Sequence, residues 1–134
     1  MIQNIEHIGI AVADEARAVE LFTKLLGREP YQSETVETEG VKTIFFQVGS
    51  TKIELLVPLN VDSTVAKFIE KRGEGVHHLA FGVDDLVAEL QRVEDAGFQT
   101  LQTEPRPGAD NKRVGFLHPK GTNGVLVEFC EDQS

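Results

Sequence analysis

IEHIGIAVA, at residues 5–13, has a counterpart in VHHLAFGVD, at residues 76–84. Each stretch alternates apolar with small or polar residues, as a half-buried strand does, and each leads into an aspartate and a helical pattern. Placing His7 over His78 gives an offset of 71 residues. The sequence therefore predicts two copies of one small module, each beginning with one of these strands.

Both strands are followed by the start and stop signals of a helix. Asp14 is expected to cap a helix that ends at Leu26, and Asp84 or Asp85 is expected to cap a helix that ends at Gly97. Apolar residues recur at helical spacing in both segments, so each helix has one face suited to covering a sheet.

Three strand-like runs follow each helix, and a short helix from Ser63 to Arg72 links the two copies. The runs lie at residues 29–38, 41–49 and 51–57 in the first copy, and at 98–103, 112–118 and 124–130 in the second. This pattern predicts an α+β fold in which two tandem β-α-β-β-β modules form a curved, half-barrel sheet with helices outside. We expect residues 1–134 to form a single domain, with module 1 at about 4–58, the linker helix at about 63–72 and module 2 at about 75–131.

The charge of the chain argues against polyanionic partners. The formal net charge is −9, from 13 basic and 22 acidic residues, whereas nucleic acids and anionic membrane surfaces attract clustered Lys and Arg. We therefore expect neither a nucleic-acid nor a membrane partner. The first residues lack the layout of a secretion signal, and Cys130 has no second cysteine to pair with, so a cytoplasmic location is predicted.

Strand alternation places one histidine in each module on the face opposite the predicted helix. His7 and His78 share these faces with small residues, among them Gly9, Ala11, Ala80 and Gly82. A face lined by such residues packs poorly unless another group fills it. We therefore predict a ligand cavity over these faces.

The last strand of each module adds a glutamate to the same face. Ile53-Glu54-Leu55 matches Val127-Glu128-Phe129 at an offset of 74, and an insertion near Pro119–Gly124 accounts for the three extra residues. A carboxylate in an apolar strand is costly to bury unless it is paired or bound to a metal.

Taken singly, each of these glutamates or histidines is more often a solvent-facing or structural residue. Together, His7, Glu54, His78 and Glu128 predict one site for a divalent metal ion. Co²⁺ is expected first, with Ni²⁺, Mn²⁺ and Zn²⁺ as alternatives, because imidazole and carboxylate ligands suit such ions.

Several stretches resemble the vicinal oxygen chelate (glyoxalase/bleomycin resistance-like) superfamily. HIGIAV, HHLAF, KIELL and VLVEF carry the resemblance, which covers essentially the whole chain. More narrowly, GVHHLAFGVDDL, DSTVAKFIEKRGEGVHH and FLHPKGTNGVLVEF resemble the methylmalonyl-CoA epimerase family. The resemblance implies a metal-dependent isomerase, a CoA thioester as substrate and a homodimer.

The resemblance also implies roles for particular residues. Epimerisation removes the proton α to the thioester and returns one to the opposite face, and by the symmetry of the repeat Glu128 and Glu54 are the candidate base and acid. Arg113 and Lys112 match a basic loop of the family and are expected to bind the substrate. Some bacterial epimerases have a further glutamate at the position that is Thr43 here, so that base is absent from this chain.

Two other functions remain open at this stage. Bacterial glyoxalase I (lactoylglutathione lyase) shares the order His, Glu, His, Glu, so the ligand pattern alone favours neither enzyme. A non-catalytic small-molecule-binding protein of the same fold would need no metal.

Overall fold

The computed structural model describes residues 1–101 and 104–133 and divides the chain into two compact units. The first unit comprises residues 7–77, and the second unit comprises residues 1–6 and 78–134. None of the helices in this described part of the chain is long and apolar enough to cross a bilayer.

Each half of the chain has the predicted order β-α-β-β-β. The first half consists of β1 (Ile2–Ala11), α1 (Glu15–Leu26), β2 (Gln32–Val36), β3 (Val41–Val48) and β4 (Thr51–Pro58). The linker helix α2 (Thr64–Arg72) follows. The second half consists of β5 (Gly75–Val83), α3 (Leu86–Asp95), β6 (Arg106–Pro107), β7 (Lys112–Leu117) and β8 (Val127–Asp132). Two short 3-10 helices are also present. Glu37–Glu39 precedes β3, and Pro119–Gly121 lies between β7 and β8.

The prediction of a strand at residues 98–103 is wrong for residues 98–101, which the structure describes. Residues 102 and 103 lie outside the described residues, and residues 98–101 make only an isolated bridge between Thr100 and Leu117. Phe98 instead packs against the core below α3. The paired strand is displaced to Arg106–Pro107 and is only two residues long, since Pro107 has no N–H with which to extend a ladder.

Side-chain caps start both long helices where the sequence predicts them. The Asp14 side chain accepts from the Arg17 N–H at 3.1 Å, and Asp85, rather than Asp84, accepts from the Ala88 N–H at 3.1 Å. Gly27 ends α1 in the left-handed conformation, with φ of 67°, which costs a glycine little.

The repeat extends to the register of the strands. In the first unit β4 is flanked by β1, which runs parallel, and β3, which runs antiparallel, so Gly9 and Phe45 both stand opposite Glu54. In the second unit β8 is flanked in the same way by β5 and β7. Ala80 and Phe116 stand opposite Glu128. Residues that are 71 or 74 positions apart in the sequence therefore occupy equivalent positions in the strand ladders of the two units.

One face of each unit packs against its long helix. In the first unit the apolar residues of α1 cover alternate strand residues, including Val12, Ile44, Phe46 and Leu55. In the second unit α3 covers the equivalent face, including Val83, Leu117, Val127 and Phe129. The predicted alternation is confirmed, and the opposite face of each unit carries the histidines and glutamates. We call that opposite face the site face.

The linker helix covers part of the site face of the first unit. Val65 packs with Ala11, Val41 and Leu56 in one buried cluster, and Phe68 and Ile69 of α2 pack against it. The expectation that small residues leave this face unfilled is therefore wrong at the Ala11 end of β1. The chain itself supplies the filling group, because α2 is apolar on one side.

An unpredicted buried charge stabilises α3. Glu89 is 3% exposed, and its carboxylate accepts two hydrogen bonds at 2.9 Å from Arg92. The Arg92 guanidinium lowers the pKa of Glu89 below its usual range, against the effect of burial, and the Met1 amino group adds to the lowering. At pH values above the ordinary pKa of a glutamate, this ion pair therefore contributes its full stabilisation of α3. The stabilisation is lost as the pH falls through the lowered pKa of Glu89.

We expect Ser63→Ala to lower the free energy of unfolding by about 1 kcal/mol. The Ser63 hydroxyl is buried, donates to the Asn60 carbonyl at 3.1 Å and accepts from the Ala66 N–H at 3.1 Å. Urea unfolding measures the change, with Ser50→Ala in the exposed β3–β4 turn as the matched control. Equal stabilities of the two variants would contradict a stabilising cap at α2.

Candidate active site

A buried histidine–glutamate pair lies on the site face of the first unit. His7 on β1 and Glu54 on β4 are 5% and 4% exposed. His7 Nδ1 lies 3.2 Å from Glu54 Oε2. The strands place them there because Glu54 stands opposite Gly9, two residues from His7 on the same face of β1.

The second unit carries the equivalent pair. His78 on β5 and Glu128 on β8 are 6% and 5% exposed, and His78 Nε2 lies 3.0 Å from Glu128 Oε1. Glu128 stands opposite Ala80, two residues from His78. Each predicted histidine is thus paired with the glutamate of its own module.

Two phenylalanines flank these pairs, and the sequence reasoning missed them. Phe45 is fully buried and stands opposite Glu54, whereas Phe116 stands opposite Glu128 and meets the His78 ring edge-on, with centroids 6.1 Å apart. The signal was present, because Phe45 and Phe116 are separated by the same 71 residues as the histidines. Aromatic walls beside both carboxylates keep water away from them.

Thr43 lies on the site face of the first unit, two residues before Phe45 on β3. It is 1% exposed and stands opposite Leu56. The position at which some relatives carry a glutamate is therefore fully buried here and holds a hydroxyl. A carboxylate at this depth would need its own charged partner.

The predicted substrate-binding residues are both ion-paired. Lys112 is 12% exposed, forms a short ion pair with Asp132 and lies 3.8 Å from Glu6. Arg113 is 42% exposed, and its Nη2 donates to Glu131 Oε1 at 2.5 Å. Neighbouring strand residues point to opposite faces, so only Lys112 shares the site face with His78 and Glu128.

The remaining histidines have structural contacts. The His77 ring packs edge-on against Phe68 of α2, with centroids 5.0 Å apart. His118 caps the short helix Pro119–Gly121, its Nδ1 accepting from the Lys120 N–H at 3.1 Å.

The two pairs have the donor chemistry of a metal site. Ligands bound at about 2.1 Å and at right angles to one another lie about 3.0 Å apart, which matches the nitrogen–oxygen distances of 3.2 and 3.0 Å. Each pair combines imidazole nitrogen with carboxylate oxygen, a set that borderline divalent ions accept. The same distances also allow an imidazolium–carboxylate ion pair. The residues present thus fit a divalent ion, and metal removal separates the two interpretations.

Comparison with known families gives one match that spans most of the chain. Residues 6–116 match the Glyoxalase/Bleomycin resistance protein/Dioxygenase superfamily. The matched range begins just before His7, includes strands from β1 to β7 and ends before β8.

Individual relatives are similar over nearly the whole chain. The ethylmalonyl-CoA/methylmalonyl-CoA epimerase of Cereibacter sphaeroides is 42% identical, over 96% of this chain and 98% of its own. The Streptomyces coelicolor methylmalonyl-CoA epimerase was solved as a variant in complex with 2-nitronate-propionyl-CoA. It is 37% identical to this chain with a TM-score of 0.95, and the match covers 100% of both chains. A methylmalonyl-CoA epimerase solved with methylmalonyl-CoA and NH4⁺ has the same identity and TM-score, over 100% of this chain and 97% of its own.

Proposed function

Since this chain belongs to the Glyoxalase/Bleomycin resistance protein/Dioxygenase superfamily, and within it to the methylmalonyl-CoA epimerase family, we propose that it interconverts the 2R and 2S forms of methylmalonyl-CoA. Family membership confirms the resemblance, the glyoxalase-like fold class and the isomerase class that the sequence predicted. The observation that supports the reaction is the repeated pair: a buried carboxylate beside a buried imidazole, once in each unit.

The proposal includes one divalent metal ion held by His7, Glu54, His78 and Glu128. The nitrogen–oxygen distance within each pair and the mixed donor set support it. Co²⁺ remains the first expectation, with Ni²⁺, Mn²⁺ and Zn²⁺ as alternatives. When bound, such an ion supplies a Lewis acid for the oxygen on which negative charge develops.

Glu128 and Glu54 are proposed to handle the proton. The substrate carbon lies between a thioester and a carboxylate, so the charge left by proton removal is delocalised onto the thioester oxygen. One carboxylate accepts the proton on one face of this carbon, and the other, once protonated, returns a proton to the opposite face. The Thr43 hydroxyl has none of the basicity of a carboxylate, which leaves these two residues as the proposed acid–base pair.

Arg113 and Lys112 are proposed to bind the anionic part of the substrate. Lys112 lies on the site face, whereas Arg113 is partly exposed on the opposite face of β7, where its guanidinium would suit a carboxylate or a phosphate of a part of the substrate remote from the reacting carbon. Each cation already has an acidic partner, Glu131 or Asp132, so substrate binding would share these ion pairs. The homodimer and the cytoplasmic location stay predictions.

The first test is an assay of purified, metal-loaded protein in deuterated water. We expect deuterium to enter C2 of methylmalonyl-CoA and the two C2 epimers to equilibrate, as detected by mass spectrometry and a stereospecific coupled assay. The matched comparison is the hemithioacetal of glutathione and methylglyoxal, the substrate of glyoxalase I. Turnover of the hemithioacetal without exchange in methylmalonyl-CoA would establish the alternative lyase, and inactivity towards both would favour a binding protein.

Glu128→Gln is expected to lower the exchange rate by about 10²–10⁴-fold, because the amide cannot accept the proton. The amide oxygen can still act as a metal ligand, so most of the metal should remain. Isotope exchange and elemental analysis measure the two effects, and Glu20→Gln, at an exposed carboxylate of α1, is the control. Exchange at the wild-type rate would remove Glu128 from the reaction.

Glu54→Gln is expected to weaken metal binding as well as slow exchange. Metal that binds only the folded state raises the unfolding temperature, so treatment with a chelator should lower the Tm of the wild type more than that of the variant. Calorimetry with and without Co²⁺ measures this difference. A Tm that responds to neither chelator nor Co²⁺ would contradict the metal site and favour two metal-free ion pairs.

A further inference from the structure

The short strand β6 places a cation on one face of the second unit. Arg106 stands opposite Val114 in the β6–β7 ladder, and Pro107 stands opposite Arg113. Residues opposite each other in a ladder point to the same side of the sheet, and neighbours along a strand alternate. A Cβ at Gly108, two residues after Arg106, would come within 2.8 Å of Val114 Cγ1. Arg106 therefore shares the face of Val114, whereas Arg113 lies on the opposite face.

The face that Arg106 shares is the site face. Val114 is 3% exposed and lies in one buried cluster with Ala80 and Cys130, and Phe116 packs against this cluster. Ala80 and Phe116 are the two residues that stand opposite Glu128. The described strands of the second unit thus carry a guanidinium on the same face as the histidine–glutamate pair. The sequence reasoning missed it, because the strand was predicted at residues 98–103.

Arg106 is close enough to Glu128 for both to contact one small group. Cys130, two residues from Glu128, stands opposite Val114, which in turn stands opposite Arg106. At about 4.8 Å between strands and 3.3 Å per residue, the Cα atoms of Arg106 and Glu128 are roughly 12 Å apart. The two side chains span part of this distance, and the long stem of an arginine can bend towards its partner. The remainder suits a group of a few atoms.

The other two cations of this hairpin are less well placed for a group next to the reacting carbon. Lys112 stands opposite Asp132, four residues from Glu128, and its ammonium forms an ion pair with Asp132. Arg113 points to the opposite face. Their proposed roles therefore concern anionic groups farther from the reacting carbon, such as the phosphates of CoA. Among the described strand residues of the second unit, Arg106 is the cation that lies nearest to Glu128 along the site face.

The repeat carries the opposite charge at the matched ladder position. Val114 corresponds to Thr43 at the offset of 71, and Thr43 stands opposite Glu34 of β2. Glu34 therefore occupies in the first unit the place that Arg106 occupies in the second. An anionic group of a substrate is attracted at this position in the second unit and repelled at its counterpart in the first.

We infer that Arg106 binds the free carboxylate at C2 of the substrate and so determines specificity for malonyl thioesters over simple acyl thioesters. The inference rests on the proposed function for the identity of the substrate. A guanidinium presents parallel N–H donors that match both oxygens of a carboxylate. Held in this way, the carboxylate fixes the orientation of C2 relative to Glu128. Proton transfer stays with the glutamates.

Two unreactive thioesters test Arg106 directly. Dimethylmalonyl-CoA has the free carboxylate but no proton at C2, and pivaloyl-CoA has a methyl group in place of the carboxylate. We expect Arg106→Gln to raise the Kd of dimethylmalonyl-CoA about 10- to 100-fold, as loss of charge-assisted hydrogen bonds gives. The Kd of pivaloyl-CoA should not change. Isothermal titration calorimetry measures both constants, and Arg17→Gln, at an exposed arginine of α1, is the matched control.

Arg106→Lys provides a second variant, which keeps the charge and removes the parallel donors. We expect it to raise the Kd of dimethylmalonyl-CoA less than Arg106→Gln does, again without an effect on pivaloyl-CoA. A structural role of Arg106 would instead weaken both thioesters alike. Equal rises for the two thioesters, or no rise for dimethylmalonyl-CoA, would overturn the inference.

Measuring binding without turnover separates failure of this inference from failure of the proposed function. Selective loss of dimethylmalonyl-CoA binding, in a protein whose wild type exchanges no deuterium into methylmalonyl-CoA, would overturn the proposed function and retain the carboxylate site. Exchange by the wild type, together with an unchanged Kd in Arg106→Gln, would overturn the role of Arg106 and retain the epimerase.

Discussion

Glu54 and Glu128 are carboxylates in the middle of otherwise apolar strands, and both are almost completely buried. A lone buried carboxylate costs several kcal/mol, so each requires a partner at a fixed place. His7 and His78 supply it from the adjacent parallel strand, two residues from the position opposite the glutamate. The register of β1 with β4, and of β5 with β8, is therefore constrained by the chemistry of the site as well as by the hydrophobic pattern.

The long helices restrict the buried histidine–glutamate pairs to one face of each unit. α1 and α3 bury the alternate strand residues in apolar cores, which leaves the other face of each unit available for polar groups. Because the two units repeat the same ladder, the site face carries the same elements twice: a histidine, a glutamate and a phenylalanine opposite the glutamate. Two carboxylates in matched surroundings are what a reaction needs when a proton leaves one face of a carbon and returns to the other.

The repeat is broken where the two units treat the end of the site face differently. α2 closes this end in the first unit through Val65, Phe68 and Ile69. In the second unit, the positions that the offsets of 71 and 74 residues match to Ala11, Val41 and Leu56 hold Gly82, Lys112 and Cys130, and these residues border a polar pocket. Duplication supplied the paired histidines and glutamates, and at this end of the site face the two units differ in the type of residue at matched positions.

The sequence by itself determined the repeat, the order of the elements, the helix caps at Asp14 and Ser63, and the face on which each histidine and glutamate lies. These follow from alternation and local capping, which act within a few residues. Only the tertiary structure decided that α2 fills the Ala11 end of the site face, that Lys112 and Arg113 are ion-paired, and that the strand expected near residue 100 is displaced to Arg106–Pro107. Each of these three features depends on which segment, distant in the sequence, packs against a given residue. The local sequence pattern does not contain that information. The histidine–glutamate pairs depend on both the sequence and the tertiary structure. The repeat indicated which residues belong together, and the register of the strands placed an imidazole nitrogen about 3 Å from a carboxylate oxygen in each pair.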